Sequence, residues 1–226
     1  MQYSLLKPQL EAKLEELSPE NATRLHRALS WLHCAEQQRS NADMQFVSLW
    51  IAFKACYSLG DDHATDESLN EREVFKQFIQ KLVGHDKFQK IHHCLWVEFS
   101  GSIKALIRNP YVFHPFWQAQ RQKQKGQGGV SEIDWKQAFD QSSVDALNYM
   151  SRQKIPELLA IVLDRLYELR NQIIDGGATY RSSVNREQVE DGAGLLMTLM
   201  PIVIEIMLLN SDEEWGEIYY PVVTSE

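Results

Sequence analysis

The stretch that decides the fold is IPELLAIVLDRLYELRNQII, residues 155–174. Leu158, Leu159, Val162, Leu166, Leu169 and Ile173 recur at intervals of three and four, which lines one face of an α-helix. Gly176 and Gly177 then stop the run. A β-strand would need alternation of apolar and polar residues, and no segment of the chain shows it over enough positions to require a sheet. The pattern predicts an all-α protein.

Toward the C-terminus, Asn185-Arg-Glu-Gln188 caps a final long helix through Val189, Leu196, Leu199, Val203 and Met207, bent near Pro201. WGEIYYPVV, residues 215–223, is then expected as an extended aromatic tail packed back on the helices. Toward the N-terminus, helical pattern resumes only near Val144. Between Gln118 and Ser142 it lapses. QAQRQKQKGQGG carries Arg121, Lys123 and Lys125 without an acid, and is expected as a long polar loop insertion. That loop is either a solvated connection or an arm that contacts phosphates.

Further upstream, Phe88, Ile91, Leu95, Phe99, Ile103 and Leu106 mark one helix ended by Asn109-Pro110. Another starts at Asn70, with Glu73 completing a capping box, and buries Val74, Phe75, Phe78, Ile79 and Leu82 before Gly84. Met44 to Leu59 is apolar on every side and predicts a central helix after Asn41. Ser18-Pro19 opens the helix carrying Leu25, Leu29 and Leu32, and Leu5, Leu10, Leu14 and Leu17 suggest an amphipathic first helix. One all-α domain over residues 1–226 is expected, with its core around Trp50, Leu95, Leu163 and Leu199.

Composition narrows the class. A hydrophobic fraction of 44% with 24% charged residues excludes wholesale disorder. A net charge of -8 excludes binding to nucleic acid by bulk charge, leaving only a local basic site. Three cysteines are too few, and odd in number, for a disulfide framework. Cys34, Cys56 and Cys94 sit among apolar helical residues without CxxC spacing and are expected as buried free thiols. The N-terminus lacks the pattern of a secretory signal, and the apolar run Leu195–Leu209 is short for a span and contains Glu205 and Pro201. A cytoplasmic protein with no membrane partner is expected.

Several chemistries have no foothold. The chain contains no G-x-G-x-x-G after a strand, no P-loop and no G-x-S-x-G. His92-His93-Cys94 has metal-ligand composition, but neighbours on a helix point about 100° apart, so the three do not converge on one ion. No metal and no cofactor is expected.

The informative segment is RNQIIDGGATY, Arg170 to Tyr180, at the end of the deciding helix. Asn171 and Asp175 share a face there, whereas Arg170 and Asp175 point about 140° apart. An arginine beside an amide and a carboxylate suits a phosphodiester, and it equally suits a surface ion pair.

This segment resembles the motif of the HEPN superfamily, all-α domains of prokaryotic toxin–antitoxin, phage-defence and RNA-processing systems. Their signature is Arg, often followed by Asn, then four to six residues and His. RNQIIDGGATYRSSVNREQVEDGA is similar to the RN-x-x-x-HGGAT stretch of one bacterial branch. EWGEIYYPVV resembles that branch's ending, and FVSLWIAFKACYS, residues 46–58, more weakly its central helix. The resemblance implies a HEPN-like helical bundle and a metal-independent endoribonuclease, with Arg and His from two protomers of a homodimer forming one cleft. It implies RNA as substrate and a nucleotidyltransferase-like antitoxin as partner.

Carried over residue by residue, Arg170 is the phosphate-binding arginine, Asn171 its polar neighbour, and Gly176, Gly177 and Ala178 the trailing turn. Asp175 stands where the family has His. A carboxylate is a poor proton shuttle at neutral pH and repels a phosphate, so the resemblance implies attenuated or absent cleavage. The alternative is a non-catalytic HEPN module that binds RNA or a partner protein. RNA contacts are expected from Arg170, Arg181 and Arg186 with Arg121, Lys123 and Lys125. Two literal matches to the spacing, Arg108-Asn109 before His114 and Arg27 before His33, lack the Gly-Gly-Ala turn and rank lower.

Overall fold

A computed structural model of the chain describes residues 2–57, 67–126, 132–216, 218 and 220–223. Ten α-helices run through them, and no strand occurs among the described residues. They are α1 (Gln2–Lys13), α2 (Pro19–Gln37), α3 (Ala42–Tyr57), α4 (Glu67–Gly84), α5 (Lys90–His93), α6 (Ser100–Ile107), α7 (His114–Gln124), α8 (Glu132–Ser151), α9 (Ile155–Ile174) and α10 (Arg186–Leu209). The protein is all-α. It divides into two compact units, one of residues 1–91 with 193–226 and the other of residues 92–192.

The first unit is built on α2 and α3, which pack closely against each other. Ser18 caps α2 by accepting from the Asn21 N–H at 3.1 Å, with Pro19 at the first helical position. Trp50, Phe53 and Tyr57 of α3 are buried, and Phe53 and Tyr57 meet Phe75 and Phe78 of α4 in edge and tilted ring contacts. Such rings bury large apolar area in one place, which makes α3 the centre of this unit.

A buried arginine ties the C-terminal segment to this core. Arg24 on α2 donates to the Cys56 carbonyl at 2.9 Å at the end of α3, and to the Gly216 carbonyl at 2.8 Å. One carbonyl lies at a helix end and the other in a loop, where Arg24 supplies each with a donor. Trp215 is buried against Phe78, whereas Tyr220, Val222 and Val223 are exposed. Ile218 is half-buried, and Glu217 and Tyr219 of the expected tail lie outside the described residues.

The second unit places α9 between α6, α8 and the 3-10 turn Pro110–Val112, with α7 packed on α8. Leu158, Leu159, Val162, Leu163, Leu166 and Leu169 of α9 are buried, and Ile173 is half-buried. The apolar stripe thus fades at the end that carries Arg170 and Asn171.

Five expectations are corrected. The polar run after Gln118 is not a long loop: it is helical to Gln124, and α8 begins at Glu132 rather than near Val144. Gln, Ala, Arg and Lys are strong helix formers, and the missing apolar period marks exposure rather than irregular backbone. Residues 127–131 lie outside the described residues. The helix expected across Phe88 to Leu106 is three pieces, because a π turn at Cys94–Glu98 inserts an extra residue, and Phe88 is exposed. α4 begins at Glu67, so Asn70 does not open it. Leu5 and Leu14 are exposed, and Leu6 and Leu10 carry the buried stripe of α1. Asn185 directly precedes α10, but its side chain bonds Gln172 instead of capping the helix.

Among the described residues one helix, α10, is long and apolar enough to cross a membrane, and 67% of its most apolar window is buried inside the protein. Leu195, Leu196, Leu199, Met200, Val203, Ile204 and Met207 are all buried, the pattern of a core helix.

Candidate functional site

The end of α9 places Arg170 and Asn171 on the last full turn, where the backbone still holds them in helical register. Arg170 Nη1 donates to the Asn171 side-chain oxygen at 2.9 Å. Arg170 Nε is buried without a hydrogen-bond partner, and the guanidinium carbon lies 6.0 Å from the Tyr167 ring centroid. No carboxylate forms an ion pair with Arg170 among the described residues, so the surface-ion-pair reading does not describe this arginine. Its one side-chain hydrogen bond among the described residues is to this amide.

Asp175 closes the helix. Its backbone N–H bonds to the Asn171 carbonyl at 2.9 Å, its side chain is exposed, and among the described residues no hydrogen bond or ion pair joins it to Arg170. Gly176 follows with φ +73°, a left-handed turn that glycine adopts without Cβ strain.

A chain of amides fixes the turn against the rest of the unit. Asn109 Nδ2 donates to Asn185 Oδ1 at 3.2 Å, Asn185 Nδ2 donates to Gln172 Oε1 at 3.0 Å, and Gln172 Nε2 donates to the Tyr111 carbonyl. Sequence reasoning missed this network, because its members are scattered and none stands out by type. The loop between Gly177 and α10 is pinned as well: Arg186 Nε donates to the Ser182 carbonyl at 2.9 Å. Arg181, with φ 56°, lies 5.3 Å from the Tyr180 ring centroid.

Arg170, Arg181 and Arg186 thus share one end of the second unit, at the close of α9, in the following loop and at the start of α10. Arg121 and Lys123 occupy the last turn of α7, and Lys125 follows as its C-cap. All three are exposed, and no hydrogen bond or ion pair joins them to the α9 turn among the described residues.

Two further features of α9 were not singled out in the sequence. His114 Nδ1 meets the carboxylate of buried Glu168 at 2.9 Å. Arg165, buried beside Phe113 with its guanidinium carbon 4.2 Å from that ring, donates to Ser142 Oγ at 3.0 Å. Burial pushes the Arg165 pKa down to about 10. Both lie on the face of α9 that packs against residues 111–114. This explains why the literal Arg108–His114 spacing has no counterpart in space: Arg108 caps α6, and His114 is turned to Glu168.

His33 stacks on Tyr3, and His92 stacks on Trp96. Burial pushes the Cys94 and Cys56 thiols up to about 12, which keeps both protonated at neutral pH. Cys34 is half-buried rather than buried. Among the described residues no three His, Cys, Asp or Glu side chains converge as metal ligands. Comparison with protein-family models, with curated proteins and with solved structures gives no match to this chain.

Proposed function

We propose that this chain is a HEPN-type protein, a metal-independent endoribonuclease of a toxin–antitoxin or phage-defence system, attenuated because Asp175 replaces the motif His. The observation that carries this reading is the state of Arg170. Its only hydrogen bond among the described residues goes to a neutral amide, so its charge is left for an anion such as a scissile phosphate. Asn171 orients it. Arg181 and Arg186 add positive charge at the same end of the unit. The active form is a two-fold homodimer in the cytoplasm, because Arg170 and residue 175 point about 140° apart on one helix and a shared cleft needs a second chain. A nucleotidyltransferase-like antitoxin is its partner.

A second reading, a module that binds RNA or a partner protein without cleaving, is favoured by Asp175 itself. It is exposed, and it lacks the imidazole that the resemblance assigns to proton transfer at that position.

The test is a fluorescent single-stranded RNA in EDTA with the parent chain, Asp175→His, and Arg170→Ala in the Asp175→His background. Restoring a general acid/base is worth about 10²–10⁴ in rate. Asp175→His should therefore cleave faster than the parent and leave 2′,3′-cyclic phosphate ends, and Arg170→Ala should abolish the gain. Equal cleavage by the Asp and His forms would remove residue 175 from proton transfer. Binding without cleavage by any form would favour the module. Light scattering that shows only monomer at micromolar concentration would overturn the composite cleft.

A further inference from the structure

We propose that Glu168 is a two-position switch: its buried carboxylate holds His114, as in this structure, or swings back along α9 to Arg165 and releases the imidazole. The exchange lies wholly within the second unit and does not depend on RNA.

The observation that carries it is an ion pair that α9 is spaced to make and does not make. Arg165 and Glu168 are three residues apart, the spacing at which helical side chains meet, and both are buried, at 1% and 5% exposure. The Glu168 carboxylate is turned to His114 Nδ1 at 2.9 Å, and no ion pair joins it to Arg165 among the described residues. Arg165 makes one hydrogen bond, from Nη2 to Ser142 Oγ at 3.0 Å, while its Nε and Nη1 are buried without partners. An arginine so placed is costly, and the acceptor that would relieve it stands on the same face of the same helix.

The alternative position needs no change in backbone. Helical side chains lean toward the N-terminus of their helix, so Glu168 already points over the turn that carries Arg165. Phe113 and Phe139 flank the guanidinium, with its central carbon 4.2 and 5.4 Å from their ring centroids, and hold it within that reach. Two opposed effects keep the positions close in energy. Pairing with Arg165 satisfies a buried, permanently charged group. Pairing with His114 ties α9 to a segment that buried Val112 and Phe113 already anchor, and that Gln172 holds at the Tyr111 carbonyl. His114 loses little on release, because its side chain is 39% exposed and water takes the place of the carboxylate.

His114 is also the first residue of α7, and Arg121 and Lys123 stand in the last turn of that helix. The partner that Glu168 takes therefore sets whether the start of α7 is tied to α9, and how firmly its basic end is held.

The experiment follows the Arg165 Nε–H by NMR, together with amide hydrogen exchange, in the parent, His114→Ala, His114→Ala with Glu168→Gln, and Arg165→Met. The signal missing from Arg165→Met assigns the Nε–H. In His114→Ala the carboxylate has only Arg165 to turn to, so the Nε–H should shift and exchange about tenfold more slowly than in the parent. With Glu168→Gln added, that protection should vanish. In Arg165→Met the alternative position is gone, and amides of residues 116–120 should exchange more slowly than in the parent. An Nε–H that is the same in the parent and His114→Ala, or equally protected with Glu168→Gln added, would overturn the switch. Unaltered exchange at residues 116–120 in Arg165→Met would overturn it as well, by showing that Glu168 never leaves His114.

Discussion

Arg170 donates to the side-chain oxygen of Asn171, its immediate neighbour in sequence, at 2.9 Å. Adjacent helical residues point about 100° apart, so this contact exists only because the long guanidinium bends around the helix toward the shorter amide. It sets the direction of the arginine without neutralising it. Asn171→Ala should free Arg170 to rotate and weaken RNA binding modestly. Asn171→Asp should weaken it more, because the same position then carries the charge that competes with phosphate. Folding stability of both should stay within about 1 kcal/mol of the parent, since only one half-buried hydrogen bond changes. Salt-series RNA titrations and urea melts distinguish the effects. Tighter binding by Asn171→Asp would show that Asn171 does not set the charge state of Arg170.

Gly176 and Gly177 close α9 for different reasons. At Gly176 nothing lies within 4 Å of an added Cβ, and the penalty comes from φ +73° alone. At Gly177 the backbone is ordinary, but a Cβ would stand 3.1 Å from the Gln172 carbonyl oxygen. Gly176→Ala should cost about 1 kcal/mol, and Gly176→Asn less, since Asn tolerates the left-handed region. Gly177→Asn should recover nothing relative to Gly177→Ala, because a steric contact with helix backbone does not depend on φ preference. Urea unfolding of the four variants checks the pattern. Equal recovery at both positions would contradict it.

How far the sequence reveals these relationships depends on the physics that holds each one. α9 is legible almost to the residue, since Leu158 to Leu169 must be buried and only a helix puts them on one side. The end of α10 near Arg186 is legible for the same reason, through Val189 and Leu196. α7 is not, because a helix with Ala119 as its one fully buried residue leaves no apolar period to detect. The π turn at Cys94–Glu98 is not legible either: one inserted residue leaves the apolar spacing on both sides nearly intact. At the site, the positions of Arg170 and Asn171 follow from the sequence, but their mutual contact does not. The amide chain from Asn109 through Asn185 to Gln172 joins residues far apart in sequence by ordinary polar groups, and only the folded backbone selects those three.

Arg165 tests what a buried cation is worth in this fold. It is almost wholly buried, has one hydrogen bond to Ser142 Oγ, and leaves Nε and Nη1 without partners among the described residues. Stacking on Phe113 and Phe139 returns part of its desolvation cost, yet no carboxylate pairs with it in an ion pair among the described residues. Arg165→Met keeps the length and the ring contacts and removes the charge. It should leave stability unchanged or raise it by about 1–4 kcal/mol, the range seen when buried ionic groups give way to apolar side chains of similar volume. A loss of several kcal/mol in urea unfolding would mean that the guanidinium organises the contact between α8 and α9.

Glu213 ties the C-terminal segment to α4, and its tie depends on pH in a defined direction. Its carboxylate meets Lys81 Nζ at 2.8 Å and His85 Nε2 at 2.9 Å, beside the buried ring of Trp215. The hydrogen bond from Lys81, followed by that from His85, holds the Glu213 pKa below its ordinary value of 4.5, against the opposing effect of burial. A carboxylate with a depressed folded pKa binds fewer protons folded than unfolded. Its contribution to stability is therefore complete above pH 4.5 and is lost as pH falls through the folded value. The parent should be more stable than Glu213→Gln at pH 7, and the difference should shrink steadily below pH 4.5. Lys81→Met should flatten the acid limb in the same way, because the largest cause of the shift is then gone. Urea unfolding at a series of pH values from neutral to acid measures all three proteins. Hydrogen exchange at residues 213–216 then separates local release of the segment from global unfolding. A difference between parent and Glu213→Gln that stayed constant with pH would show that the glutamate acts through packing rather than through its charge.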